Sequence, residues 1–265
     1  MANEVTIYQK EGGIATLTLN RPEKLNAVTR QLAGEARAAI EDAGKDPAVR
    51  VLLITGAGRA FCAGLDMREA ASGRDVVTPD SGILQRPAGA LDLLLQKVDK
   101  PTIAAVNGPA IGMGCDLALA CDMRLGSENA SFGELYVKRG MVPSAGCYYL
   151  PRLVGLAKAM EVLLFGDLIE AKEAERMGLL NKLVPQAQLM AVARQWASRL
   201  AQSSPVSVQF IKKALWVGQE ASLERMLEFV TLARTCGELS DDAVEGVKAY
   251  VEKREPVFTG RRKKA

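Results

Sequence analysis

Pro101 to Asp122 reads PTIAAVNGPAIGMGCDLALACD, an apolar run that ends in a glycine-broken turn and passes into a helix with a carboxylate in its first turns. The short run bounded by Pro and Gly reads as a buried strand, and the small residues after it open the helix. Backbone N–H groups are unpaired at a helix start and its dipole favours negative charge, so Gly112, Met113 and Gly114 are candidate donors to an oxyanion. A second glycine turn, RAFCAGLDMR at Arg59 to Arg68, follows the apolar run Val51 to Thr55. Two such turns supply two donors for one oxygen, which is what a reacting carbonyl needs.

Outward from these turns, strands and helices alternate. Val5 to Tyr8 and Ile14 to Leu19 alternate apolar and polar residues around Glu11-Gly12-Gly13, which reads as a hairpin. Thr29 to Ala43 carries Leu32, Ala36, Ala39, Ile40 and Ala43 at helical spacing, Asp46-Pro47 breaks that helix, and Val49 to Thr55 supplies a buried strand. Arg68 to Pro87 turns polar and glycine-rich, the composition of a mobile loop over the second turn. A helix with Leu91, Leu94, Leu95 and Val98 on one face follows, then a strand over Thr102 to Val106 and another near Cys121 to Leu125. Beyond about residue 186 the pattern is helical: Gln186 to Ala201, Pro205 to Trp216, Ala221 to Gly237 and Asp241 to Lys253. The last of these leaves an apolar stripe of Val244, Val247 and Val251 beside Lys248, which covers either its own core or another subunit. The pattern thus reads as α/β followed by α.

Composition narrows the chemistry. A chain of 265 residues with 48% hydrophobic content can bury a large core. No apolar stretch approaches the roughly 20 residues that span a bilayer, and MANEVTIYQK lacks a secretory core, so the expected compartment is cytoplasmic with no membrane contact. The absence of histidine excludes Ser-His-Asp and Cys-His catalysis and histidine-ligated metals, and leaves acid–base work to Asp, Glu, Tyr or Lys. Five cysteines without a CxxC pair suggest neither zinc nor a disulfide framework, and Cys62 and Cys115 read as packing residues beside the turns. A net charge of +3 gives no argument for nucleic acid, and RRKK at 261–264 reads as a solvated tail.

The segments NRPEKLNA (Asn20 to Ala27), RAFCAGLD (Arg59 to Asp66), KPTIAAVNGPAIGMGCDLALACD (Lys100 to Asp122), ASFGELYVKRGMVPSAG (Ala130 to Gly146) and EPVFTGR (Glu255 to Arg261) resemble, in order and spacing, the enoyl-CoA hydratase/isomerase (crotonase) superfamily. The resemblance covers nearly the whole chain. It implies a spiral of repeated ββα units over 1–190 and a helical oligomerisation region over 191–265, assembled as a homotrimer or homohexamer. It also implies an acyl-CoA substrate, with coenzyme A as part of the thioester and no other cofactor or metal. The oxyanion donors carry over as the N–H groups of Leu65 and Met113; the family often has glycine at the second place, and methionine is poorly suited to positive φ. The CoA contacts carry over as Lys24, Ala27, Ala63, Asp66, Met67 and Arg68.

Family hydratases place two glutamates about the reacting carbons, and those positions here hold Asp116 and Tyr136. Aspartate at the first also occurs in dienoyl-CoA isomerases of the family, whose partner carboxylates correspond here to Tyr136 and Ser144. Tyr136 is thus a proton donor, a holder of water or a core residue in an apolar strand, and Glu134 either turns to the pocket or is a surface acid beside Lys138 and Arg139. The leading reading is an enoyl-CoA hydratase in which Leu65 and Met113 polarise the thioester while Asp116, with Tyr136 or Glu134, activates water. Double-bond isomerisation by Asp116 is the nearest alternative, hydrolysis or ring cleavage of a cyclic acyl-CoA a further one, and a CoA-ester-binding protein without catalysis one of a different class.

Overall fold

The computed structural model describes residues 4–71 and 91–260. The loop expected over Arg68 to Pro87 lies outside the described residues beyond position 71, as does the RRKK tail. The chain opens with the antiparallel hairpin β1 (Thr6–Glu11) and β2 (Ile14–Leu19), turning through Gly12 and Gly13. Helix α1 (Arg30–Lys45) begins where the Thr29 hydroxyl accepts from the Leu32 N–H (3.2 Å), and it buries Leu32, Ala36, Ala39, Ile40 and Ala43 as their spacing predicts. Strand β3 (Val51–Gly56) is buried at every position. Then come α2 (Met67–Ala71), α3 (Leu91–Lys97), β4 (Thr102–Val106), β5 (Pro109–Ile111), α4 (Met113–Ala120), β6 (Met123–Ser127) and β7 (Ser131–Gly133). They are followed by α5 (Gly146–Val154), α6 (Leu156–Phe165), β8 (Ile169–Glu170), α7 (Ala171–Arg176) and β9 (Lys182–Val184). The chain ends in α8 (Leu189–Ala201), α9 (Pro205–Gly218), α10 (Leu223–Glu238) and α11 (Asp241–Glu252). The strand expected from Cys121 starts at Met123, because Cys121 ends α4 and Asp122 turns back to bond Thr102.

Two sheets organise the body. The larger runs β1-β2-β3-β4-β6-β9, parallel from β2 onward, and the smaller runs β5-β7-β8. Each turn of the chain gives one strand to each sheet and then a helix: β4-β5-α4, then β6-β7-α5. An earlier turn does the same through β3, a parallel bridge of Cys62 to Ala110, and α2. This is the expected spiral of ββα units.

The continuous apolar strands are buried on both faces. In β3, Val51 and Leu53 face α8 through Leu189, Ala193 and Ala197, whereas Leu52 and Ile54 join the core with α1 and α3. The division expected after residue 190 falls inside α8, whose buried face lies on the large sheet. The tail beyond it docks through Trp216, packed on Tyr148 and Tyr149, and through polar contacts. Lys212 Nζ donates to Asp122 Oδ2 (2.7 Å) and to the Lys100 carbonyl (3.0 Å), while Gln209 and Lys213 reach Asp99. Its apolar residues Leu215, Val247, Tyr250 and Val251 are exposed.

One buried side chain fixes the loop that leads to the second glycine turn. Asn26 is 0% exposed with φ +56°, and asparagine is among the few residues that tolerate this left-handed backbone. Its Nδ2 donates to the carbonyls of Ala57 (2.9 Å), Ala60 (2.8 Å) and Phe61 (3.2 Å), and its Oδ1 accepts from the Arg21 N–H (2.8 Å). Asn26→Ala strands the Ala57 and Phe61 carbonyls and the Arg21 N–H, the Ala60 carbonyl keeping Asn107 Nδ2 (3.1 Å), and the expected cost is about 3 kcal/mol or more of unfolding free energy in urea titration. A loss below about 1 kcal/mol would show that the loop is held by other means.

Candidate active site

The two glycine turns meet. Ile111 N–H donates to the Cys62 carbonyl (2.9 Å), and a Cβ built on Gly64 would lie 2.6 Å from the Ile111 carbonyl and 3.5 Å from the Met113 nitrogen. Gly64 has φ +86° and Gly112 has φ +52°, so the left-handed conformation falls on the glycine before each predicted donor. The concern that Met113 must take positive φ is thereby corrected: it is the first residue of α4, in helical conformation. The Gly112 N–H is committed to the Gly133 carbonyl (2.7 Å) and is no donor to a ligand. In the bridge between 28 and 65, Val28 donates to Gly64 and Asp66 to Val28, so the Leu65 N–H points to the other side. Neither Leu65 N–H nor Met113 N–H has an intramolecular acceptor among the described residues.

One turn into α4, Asp116 is 4% exposed and held by three donors. Tyr136 Oη (3.1 Å) and Ser144 Oγ (3.0 Å) donate to Oδ2, and the Gly146 N–H donates to Oδ1 (2.7 Å). Burial raises the Asp116 pKa; the Ser144 hydroxyl and Gly146 amide oppose the shift, the Asp92 charge adds to it, and the Tyr136 hydroxyl opposes it. Burial and then the Asp116 charge raise the Tyr136 pKa, which keeps its proton on the phenol. A Cβ on Gly112 would lie 3.6 Å from Tyr136 Oη, so this hydroxyl stands between the carboxylate and the first turn. Tyr136 is not in a strand; it precedes the single 3-10 turn Val137–Arg139. A carboxylate offers about four lone-pair positions, so three donors leave room for one more proton.

Glu134 does not join this cluster. It is 0% exposed, neither of its carboxyl oxygens has a hydrogen-bond partner among the described residues, and it is no surface acid, for Lys138 pairs with Asp167 instead (2.7 Å). Its carboxyl packs against Gly146, where an added Cβ would lie 2.9 Å from Cδ. Burial, then the Asp116 charge, pushes its pKa up to about 9, with the Cys115 thiol opposing. The Cys115 thiol is itself raised by burial and by the Glu134 and Asp116 charges, which suits packing rather than attack.

The predicted CoA contacts lie along the rim of the second turn. Lys24, Met67 and Arg68 are exposed, and Ala27 and Ala63 are half-buried. Asp66 is committed internally: Oδ2 accepts from Arg21 (3.1 Å) and Oδ1 from the N–H groups of Arg68 (3.2 Å) and Glu69 (3.4 Å) at the start of α2. Burial works against its charge, and Arg21 with these amides outweighs it, holding the carboxyl below its ordinary range. The sequence reading passed over Asn26, the Gly146 N–H and the direct bond from Ser144. An Asn between two turn-forming segments was the available signal for the first; a backbone donor leaves none.

Compared with known proteins, residues 9–261 match the family model of enoyl-CoA hydratase/isomerase. The chain belongs to this family. The crotonyl-CoA hydratase of Syntrophomonas wolfei is 36% identical over 264 residues, 97% of this chain and 99% of that protein. The 1,2-epoxyphenylacetyl-CoA isomerase of Escherichia coli is 35% identical over 260 residues, 97% and 99% of the two chains. A crystal structure of an enoyl-CoA hydratase subunit from Geobacillus kaustophilus superposes with a TM-score of 0.89 at 37% identity, covering 97% of this chain and 98% of that one. The ββα spiral with a helical C-terminal region is therefore the enoyl-CoA hydratase/isomerase fold, and hydratases and an isomerase alike are found among the similar proteins.

The raised pKa of Glu134 sets a pH dependence of stability. Below about 4 both folded and unfolded states bind its proton; between there and about 9 only the folded state does, so stability falls as pH rises through this window and levels off above it. Glu134→Gln removes the ionisable group, so its melting temperature is expected to fall less than that of the parent between pH 5 and pH 9. Equal losses in both proteins would place the carboxyl in its ordinary range.

Proposed function

We propose that the protein is an enoyl-CoA hydratase that adds water across the α,β double bond of an acyl-CoA thioester. The observation that carries the reading is Asp116, a buried carboxylate with three internal donors, beside two turns whose Leu65 and Met113 N–H groups are unpaired among the described residues. In this reading the thioester oxygen lies against the two N–H groups, which hold the charge as it develops, each contributing about 3 kcal/mol to the transition state. Asp116 takes a proton from water as the water oxygen bonds the β-carbon, the electron pair of the double bond passes to the enolate, and the proton is delivered to the α-carbon. Tyr136 and Ser144 fix the carboxylate, and Tyr136 orients the water. Lys24, Ala27, Ala63, Met67 and Arg68 line the path of the CoA moiety, with Arg68 available to its phosphates, while Asp66 shapes the turn that carries them.

This chemistry asks for no metal or redox cofactor and suits a cytoplasmic enzyme. We further propose a homotrimer or homohexamer assembled through the helical region, residues 191–265; the exposed apolar residues Leu215, Val244, Val247 and Val251 support it. A second reading, proton shuttling by a double-bond isomerase, is favoured by one observation: Glu134 is buried and unpaired among the described residues, so Asp116 acts without it as a second ionised carboxylate.

A panel of short, branched and cyclic enoyl-CoAs separates the readings. Hydration gives 3-hydroxyacyl-CoA and isomerisation a shifted double bond, whereas tight binding without turnover marks a binding protein. Asp116→Asn is expected to lower turnover by roughly two orders of magnitude or more while CoA-ester binding survives. Near-normal turnover in that variant would remove Asp116 from the mechanism.

Tyr136→Phe deletes only the hydroxyl and is expected to lower turnover with little loss of stability, against a mild effect of Glu134→Gln. The reverse pattern would transfer the second role to Glu134, and full activity in both with an inactive Asp116→Asn would favour the isomerase. The acid limb of the pH–rate profile is expected above the ordinary carboxylate range, since burial raises the Asp116 pKa and protonation disarms it as a base.

A further inference from the structure

Arg124 is 3% exposed and makes no ion pair with any carboxylate among the described residues. The carboxylate nearest in sequence, Asp122, is taken by Thr102 (2.8 and 3.0 Å) and Lys212 (2.7 Å). The guanidinium instead donates to backbone carbonyls: Nη1 to Cys121 (2.6 Å) and Leu119 (3.3 Å), and Nε to Leu179 (2.8 Å). Cys121 and Leu119 end α4, where helix carbonyls lack intrahelical partners and the dipole is negative. Leu179 belongs to the segment that leads into β9, so one planar cation ties the end of α4 to the frame of the large sheet. A buried charge without an ion-pair partner is costly, and packing alone would be served by an apolar side chain of similar volume.

What stands at the other end of α4 explains its use. Helix α4 has eight residues, about 12 Å of rise, and its first turns carry the Met113 N–H and Asp116. The glycine turns hold the N-terminal end through the Gly112 amide and the Cys62 carbonyl, and Arg124 holds the C-terminal end against sliding and tilting. We infer that Arg124 is a positioning residue for catalysis, which fixes α4 so that the Met113 N–H and Asp116 keep their places relative to the thioester oxygen and the reacting carbons. The inference rests on the acyl-CoA reading above.

The test uses a chromophoric cinnamoyl-CoA thioester, whose absorption moves to the red when its carbonyl is polarised, on the full-length protein together with steady-state kinetics. In folded Arg124→Lys and Arg124→Gln proteins, the expected result is a smaller red shift and roughly tenfold or greater loss of kcat, with KM changed only a few-fold. Lys restores the charge but not the fork and should recover only in part. A milder variant guards against misfolding: the side chain of Asn181, exposed, accepts the backbone N–H of Arg124 (2.8 Å) two residues beyond the Leu179 carbonyl that receives the guanidinium, and Asn181→Ala loosens that end of the clamp from outside. It is expected to show the same pattern at lower amplitude. A folded Arg124 variant with parental red shift and kcat overturns the inference, as does a loss of kcat with an unchanged red shift. If no Arg124 variant folds, a parental shift and kcat in Asn181→Ala overturn it. A parental protein that binds the probe without any red shift overturns the oxyanion reading itself, and the inference with it.

Discussion

The structure depends on how closely two backbone segments approach. The chain at 62–65 and the chain at 110–114 run side by side with no side chain between them: an added Cβ on Gly114 would fall 2.1 Å from the Cys62 carbonyl, and one on Gly64 2.6 Å from the Ile111 carbonyl. No side chain fits either gap. Because the two segments are the exits of neighbouring ββα turns, the contact fixes one turn of the spiral on the next and also brings together two N–H groups unpaired among the described residues. Under the proposed oxyanion role this matters, since donors at a ligand oxygen are worth most when they need not reorganise, and the contacts that build the fold already fix these two N–H groups. Asn26 extends that constraint outward: its amide bonds three carbonyls just before and at the start of the second turn, so the NRPEKLNA segment is a brace for 57–63.

Two buried carboxyl groups near this contact have opposite environments, and the difference assigns their roles. Asp116 and Glu134 are both withdrawn from water, and burial raises the pKa of each. Asp116 meets two hydroxyls and an amide that favour the anion; Glu134 meets a glycine Cα and a thiol and keeps its proton. Two neighbouring anions would repel, and the proton kept on Glu134 relieves Asp116 of that repulsion. Gly146 serves both, its N–H holding Asp116 and its missing side chain making room for Glu134.

The alternation of strands and helices, the apolar face of α1 and the four closing helices were legible because they follow from periodicity and breaker residues, which act within a few residues. Asp116 was legible because it sits in a motif, and its proximity to Tyr136 followed from the resemblance. The place of Glu134 was not legible: two residues from Tyr136, it turns inward because the chain leaves β7 into a turn rather than continuing as a strand, and its sealing depends on Gly146, twelve positions on. Arg124 shows the same limit. As a cation in sequence it reads as surface, and only the folded chain reveals the carbonyls that receive it.

The turn that ends α4 also receives the C-terminal helices. Lys212 on α9 bonds Asp122, the residue after the Cys121 carbonyl that Arg124 holds, and Asp122 in turn caps the start of β4 through Thr102. Helix α9 has no fully buried residue; the Lys212–Asp122 and Lys213–Asp99 ion pairs and the packing of Trp216 on Tyr148 and Tyr149 attach it, while Leu215, Val247 and Val251 of the tail stay outward. Polar attachment fixes orientation at small cost in apolar area, which keeps that area for other contacts. Lys212 and Asp122 thus place α9 against the far end of the helix that carries Met113 and Asp116, so the catalytic body and the helical tail meet at one turn of backbone that Arg124 also binds.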